Sequence, residues 1–282
     1  MELVSLPSEM RRIAEDLRRR DGTIAFVPTM GFLHDGHLAL MREGRQRASV
    51  LVVSIFVNPS QFGPNEDFER YPRALQKDLE KIERIPADYV FAPDTRAMLP
   101  ADTETWVEVT GVTRGLCGAH RPGHFRGVTT IVAKLFNLVQ PHIAIFGEKD
   151  FQQLRAIQKM VHDLNFAVEI IPHPIVREPD GLAMSSRNAY LSPKQRNEAL
   201  ALSQSLFAAR ELSAAGTRDP DAIVQAARRV LDRSADIKLE YLEAVDWETL
   251  AKPSAHRSML LAVAARVGDT RLIDNIALHN PA

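Results

Sequence analysis

The chain has 282 residues, 45% of them hydrophobic and 25% charged, with a formal net charge of -1. That length supports one large domain or two unequal ones, and the ordinary composition excludes a disordered or fibrous protein. Near-zero charge argues against a nucleic-acid binder that works by neutralising phosphates, which needs a basic surplus or stripe, and Arg18, Arg19 and Arg20 read as a solvated helix end.

In chain order, helical spacing of apolar residues predicts a helix over 8–20, broken by Asp21 and Gly22. Residues 23–29 (TIAFVPT) read as a strand and Asp35 to Arg47 as a helix. Residues 49–58 (SVLVVSIFVN) form an almost unbroken β-branched run, the mark of a parallel strand buried on both faces. A helix is expected over 71–83, a short strand over 88–93, and an alternating strand over 104–110 (ETWVEVT). A buried helix over 127–140, a strand over 142–147, a helix over 150–164 and a strand over 167–176 complete the series. Strands alternating with helices imply an α/β fold with a doubly wound, Rossmann-like parallel sheet. After residue 176 the texture changes to two amphipathic helices, near 193–213 and 220–234, and then two or three strands of antiparallel character. The expected division is therefore a domain of residues 1–176 and a smaller α+β domain of residues 177–282.

The single cysteine, Cys117, excludes an intramolecular disulfide and a cysteine-based zinc cage, and reads as a packed thiol. The N-terminus carries no apolar signal core, and no segment approaches the roughly 20 apolar residues of a membrane span. The expectation is a soluble, cytoplasmic protein with no membrane partner.

Four stretches carry chemistry. In "TMGFLHDGH" (29–37) a strand ends and a helix starts near His34 or Asp35. Histidines at i and i+3 share one face of the first turn, where free N–H groups and the positive end of the helix dipole suit phosphate. Gly36 would let a nucleotide approach the backbone; a glycine-containing turn with two surface histidines is the alternative. Zinc is disfavoured by the i, i+3 spacing and by the lack of a third ligand nearby. "FVNPSQFGPNEDFERYPR" (56–73) follows the buried strand with Asn58, Pro59, Gln61 and Gly63, where an open α/β sheet places its binding crevice. "FGEKDFQQL" (146–154) sets Lys149, a candidate phosphate ligand, beside Asp150, a candidate helix cap. "GLAMSSRNAYLS" (181–192) joins two serines to an arginine, as a mobile phosphate-binding loop does. Each of these three has a plain alternative as a solvated loop or turn.

Taken together, and with "RPGHFRGVTTIVAKLFNLVQP" (121–141) and "GDTRLIDN" (268–275), these stretches resemble the pantothenate synthetase (pantoate–β-alanine ligase) family. That family sits in the nucleotidyl-transferring superfamily of the class I aminoacyl-tRNA synthetases. The likeness covers nearly the whole chain, in order. It implies that ATP, with Mg²⁺, activates pantoate as an acyl-adenylate. β-Alanine then attacks, releasing AMP and giving pantothenate, the precursor of coenzyme A. It implies ATP contacts from Met30, Gly31, Phe32, Leu33, His34, Asp35, Gly36 and His37, with His37 as proton donor and His34 beside it. It also implies ATP contacts from Gly147, Glu148, Lys149 and Asp150, from Val176 near the adenine, and from Met184, Ser185, Ser186 and Arg187. Gln61 and Gln153 would hold pantoate, with Gln61 also where β-alanine enters. "MSSR" stands where superfamily relatives carry a lysine-serine signature, so the lysine's work falls to Lys149, the third catalytic residue, and Arg187. The metal ligands are left open between Asp78 and Asp150, with phosphates and water supplying most of the Mg²⁺ shell. The resemblance further implies a homodimer, and a smaller domain that closes over the active site. Two other readings stay open: a nucleotidyltransferase on the same fold, and a nucleotide-binding module without turnover.

Overall fold

Six parallel strands form the larger sheet, in the order β1-β4-β3-β2-β5-β6. The computed structural model describes residues 1–64, 66–234, 236–253 and 258–278, so Asn65 of the 56–73 stretch lies outside the described residues. The strands are β1 (Glu2–Val4), β2 (Ile24–Thr29), β3 (Val50–Ile55), β4 (Tyr89–Phe91), β5 (Ile143–Gly147) and β6 (Glu169–His173). Between them run α1 (Pro7–Arg19), α2 (Asp35–Arg47), α3 (Leu75–Ile82), α4 (Thr95–Met98), α5 (Leu116–His120), α6 (His124–Val139) and α7 (Phe151–Asp163). Helices α8 (Pro193–Ala214) and α9 (Pro220–Leu231) follow, then an antiparallel sheet of β7 (Ile237–Asp246), β8 (Met259–Val267) and β9 (Thr270–Leu278). The architecture is the doubly wound parallel sheet with a smaller antiparallel sheet near the C-terminus.

Two compact units emerge. One holds Met1–Val109, Arg121–Glu148 and Gln153–Pro174; the other holds Thr110–His120, Lys149–Gln152 and the chain from Ile175 onward. In the first, side-chain alternation sorts each strand between two helical layers. Ala25, Val27, Leu51 and Val53 meet Leu38 and Met41 of α2 and Ile82 of α3. On the opposite face Phe26 and Phe146 meet Phe136 of α6, each with ring centroids 6.4 Å apart. Fully burying side chains of this size is worth about 1.5–3 kcal/mol each, which is why the central strands read as continuous apolar runs. Strand order reverses at β2, which lies between β3 and β5, so the loops leaving β2 and β5 open at the switch point where such sheets bind ligands.

In the second unit Leu202, Leu206, Ile223 and Ala227 of α8 and α9 pack on Leu261, Val263 and Leu272 of the antiparallel sheet. Helix α8 opens with a capping box: Gln195 N–H donates to Ser192 Oγ at 3.3 Å, and Ser192 N–H donates to Gln195 Oε1 at 2.9 Å.

Residues 104–110 depart from expectation. The segment forms no strand. Its central peptide is instead satisfied by side chains of α6: Val107 N–H donates to Thr130 Oγ1 at 2.9 Å, and Thr129 Oγ1 donates to Val107 O at 2.6 Å. Helix α3 starts at Leu75 rather than near Tyr71, and β6 ends at His173. β1, only three residues long, is too short to read from pattern, yet it extends the sheet by pairing with β4. Among the described residues no helix is long and apolar enough to cross a membrane.

Candidate active site

The loop from β2 to α2 is held from below. Gly31 and Phe32 both take left-handed backbone angles, φ 79° and 49°, which turn the chain sharply after β2. The amides of that turn are gripped by one buried carboxylate: Phe32 N–H donates to Asp78 Oδ2 at 2.7 Å and Leu33 N–H to Asp78 Oδ1 at 2.8 Å. Lys81, one turn further along α3, donates to Leu33 O at 2.5 Å. Asp78 therefore spends both oxygens on the backbone. It is a clamp on the loop, and the two contacts account for one acceptor site on each carboxylate oxygen.

Above the clamp, His34 is the extended N-cap of α2 and His37 its third residue. His34 N–H donates to His37 Nδ1 at 3.3 Å, and the two rings lie 4.0 Å apart. A backbone N–H can only donate, so the His37 ring accepts at Nδ1 and, when neutral, carries its proton on Nε2. Met30, Leu33, Asp35 and Gly36 complete the loop, with Leu33 and Gly36 buried.

Gln61 is braced on every side. Its Nε2 reaches Met30 Sδ at 2.9 Å, and its Oε1 accepts from Asn58 Nδ2 at 3.2 Å. Asn58 also donates to Gly127 O at 3.1 Å and accepts from Ser60 N–H at 3.1 Å. The main-chain carbonyl of Gln61 accepts from His124 Nδ1 at 2.8 Å and from Arg121 Nη2 at 3.1 Å. Arg121 Nη1 also donates to His124 Nε2 at 3.1 Å, so His124 carries its proton on Nδ1. The guanidinium forks onto Glu66, at 2.6 Å from Nε and 2.5 Å from Nη2. Burial raises the Glu66 carboxyl, but Arg121, helped by the Gly63 N–H and by His124, holds the group below its ordinary value. Glu66, Lys81, Arg121 and His124 are residues that sequence reasoning missed. One signal was available: Arg121 and His124 repeat, at the mouth of α6, the i, i+3 spacing that singles out His34 and His37.

Gln153 lies in the first turn of α7, half-buried. Its neighbour Gln152 is committed elsewhere, donating to Val112 O at 2.9 Å and Gly115 O at 2.8 Å.

In the second unit the remaining predicted residues fall in two segments. Lys149 Nζ stands 3.5 Å from Asp150 Oδ2, and Asp150 is half exposed. Val176 and Met184 face each other across a tight turn, with Met184 N–H donating to Val176 O at 3.0 Å. Ser185 then caps the single turn Ser186–Tyr190 by accepting from Arg187 N–H at 3.2 Å. Gly147 ends β5 and Glu148 opens the single 3-10 turn after it, both in the first unit. Among the described residues no group of three or more His, Cys, Asp or Glu could hold a metal by itself. A Mg²⁺ that arrives on nucleotide phosphates needs few protein ligands, and the exposed Asp150 carboxylate fits that demand.

The family model of pantoate-beta-alanine ligase matches residues 2–277. The chain is 54% identical over 279 residues to the pantothenate synthetase of Geobacter sulfurreducens, covering 99% of both chains. A solved pantothenate synthetase from Thermus thermophilus superposes with a TM-score of 0.95 at 45% identity, covering 99% of this chain and 100% of that one. A pantoate-beta-alanine ligase from Francisella tularensis, solved in complex with beta-gamma ATP and beta-alanine, gives a TM-score of 0.80 at 30% identity. It covers 98% of this chain and 97% of that one. With likeness along nearly its whole length, the chain belongs to the pantoate-beta-alanine ligase family.

Proposed function

We propose that this chain joins pantoate to β-alanine in two steps at the expense of ATP. A pantoate carboxylate oxygen attacks the α-phosphorus of ATP, the bond to the β-phosphate breaks, and pyrophosphate leaves. The β-alanine amine then attacks the acyl carbon of pantoyl-adenylate, the bond to AMP breaks, and the amine gives up a proton. The observation that carries the reading is the contact of Gln61 Nε2 with Met30 Sδ at 2.9 Å. It sets an uncharged amide, able to bind a hydroxy acid, against the loop that presents the His37 donor.

Each residue has a task in this reading. His37, backed by His34, donates from Nε2 to oxygens of the reacting phosphate as charge builds there, the kind of stabilisation that dominates such reactions. Gln61 and Gln153 hold pantoate, and Gln61 also meets the incoming amine. Lys149, Arg187 and the hydroxyls of Ser185 and Ser186 pair with phosphates; Val176 and Met184 bound the adenine. Mg²⁺, bound with ATP, screens the phosphate charges, and Asp150 is the carboxylate that would complete its shell. The reading places the enzyme in the cytoplasm as a homodimer.

Incubation of the protein with ATP, Mg²⁺, pantoate and β-alanine tests it. The expected products are pantothenate, AMP and pyrophosphate in equal amounts. Adenylate retained in a stable product would indicate a nucleotidyltransferase instead, and no turnover a binding module.

A further inference from the structure

The sequence near the C-terminus contains "LIDN" in a strand that otherwise presents apolar residues to the core of its unit. On β9, Leu272, Ile276 and Leu278 all pack into that core, and Asp274 occupies the same row, opposite Val263. Its side chain is only 2% exposed. Burial pushes this carboxyl up, against the pull of Arg177. A carboxylate in such a place is a poor way to gain stability, because a buried ion pair barely recovers its desolvation cost. What it gains is geometry.

Arg177 forks onto Asp274, Nη1 to Oδ2 at 2.7 Å and Nη2 to Oδ1 at 3.0 Å. The same guanidinium donates to Gly181 O at 3.0 Å and lies over the Phe207 ring at 5.1 Å. Arg177 also pairs with Ala183 through an isolated bridge, so fixing it fixes the turn whose flanks are Val176 and Met184. The next residue of β9 points to the opposite face of the sheet. There Asn275, beside Ala262, donates from Nδ2 to Lys149 O at 2.9 Å. Its backbone N–H donates to Asp274 Oδ1 at 2.8 Å, so the Asp274 carboxylate also holds the main chain that carries Asn275.

We propose that Asp274 and Asn275 are a positioning pair: from the two faces of one strand they set the Val176–Arg187 turn and Lys149 in place for ATP. Neither touches the nucleotide. The proposal rests on the reading that gives those two segments to ATP.

Steady-state kinetics on the full-length enzyme with Mg²⁺-ATP test it. Asn275→Ala removes one buried donor and should raise the KM for ATP about ten-fold, with the KM values for pantoate and β-alanine within about two-fold of wild type. Asn275→Asp keeps the size but cannot donate, so it should behave like the alanine variant; near-wild-type ATP kinetics would mean packing alone matters and would overturn the proposal. Asp274→Asn should raise the ATP KM in the same selective way. Should it fail to fold, the two Asn275 variants decide. All three KM values moving together, alongside a lower Tm, would show a merely structural role. Lys149→Ala separates the two levels of the argument. If it raises the ATP KM while Asn275→Ala does not, the positioning pair fails alone. If Lys149→Ala also leaves ATP unaffected, the ATP assignment of the segment fails with it.

Discussion

At the residue scale, His37 has two jobs on one ring. Nδ1 accepts from the N-cap amide, and in the proposed reaction Nε2 donates to substrate. His37→Ala should therefore slow adenylation about a hundred-fold or more, the usual cost of roughly 3 kcal/mol for one lost transition-state donor. Losing the cap contact costs roughly 1 kcal/mol, partly offset because alanine is the better helix former. Single-turnover adenylate formation and a thermal melt separate the two effects, and wild-type turnover would return these histidines to a surface turn. Glu66 makes a different kind of prediction. Its carboxyl sits below the ordinary value of 4.5, because Arg121, the Gly63 N–H and His124 together outweigh the burial that would raise it. Between the lowered folded value and 4.5 the unfolded chain binds more protons, so stability rises with pH across that interval. The contribution is complete above the ordinary value and is lost as pH falls through the folded one. Glu66→Gln should flatten the acid limb of an unfolding-midpoint-against-pH curve; an unchanged limb would show that the pair is energetically silent.

At the scale of elements, the contact between α6 and the turn Pro59–Gln61 decides where Gln61 sits. A Cβ at Gly127 would lie 2.2 Å from Ser60 O and 2.5 Å from Ser60 C, and neither backbone atom can swing aside. In an open helix, glycine to alanine gains about 1 kcal/mol. Here overpacking costs roughly 1–3 kcal/mol or more and should prevail. Gly127→Ala should lower the Tm and raise the KM for pantoate, because relief of the clash moves the turn that carries Gln61. A variant as stable as wild type would show that the turn yields freely. Elements with a local signature are legible in sequence: the predicted helix Asp35–Arg47 agrees at both ends, and the β-branched run read over 49–58 holds the central strand Val50–Ile55. Residues 104–110 alternate as a strand should, but alternation reports burial and not the identity of the hydrogen-bond partner. Thr129 and Thr130, more than twenty positions away, take that role. Asp78 is hard to read for the same reason. A carboxylate on a helix looks alike whether it awaits a cation or grips two amides 45 and 46 positions earlier.

For the whole molecule, a net charge of -1 offers no long-range field to gather anionic substrates. Binding of ATP and pantoate must then come from local donors, and the two substrates should be separable by mutation. Gln61 and Gln153 lie in the first unit, whereas Lys149 and Arg187 belong to the second. Pantoate presents hydroxyls and a carboxylate, and an amide serves both without adding charge. A lysine in its place would compete with β-alanine for the adenylate. Gln61→Ala or Gln153→Ala should leave polar substrate atoms unpaired at about 1–3 kcal/mol each, raising the pantoate requirement from roughly five-fold to over a hundred-fold. ATP affinity without pantoate should stay within about two-fold, since no assigned phosphate contact has been touched. The partial reaction makes the test sharp. If adenylation is complete before the amine is needed, ATP and pantoate alone support exchange of labelled pyrophosphate into ATP. In that assay the glutamine variants should recover exchange when pantoate is raised, whereas His37→Ala should not recover at any pantoate concentration. A strict requirement for β-alanine would remove the free adenylate from the mechanism. Loss of ATP binding in the glutamine variants, with pantoate binding intact, would move both residues to the nucleotide.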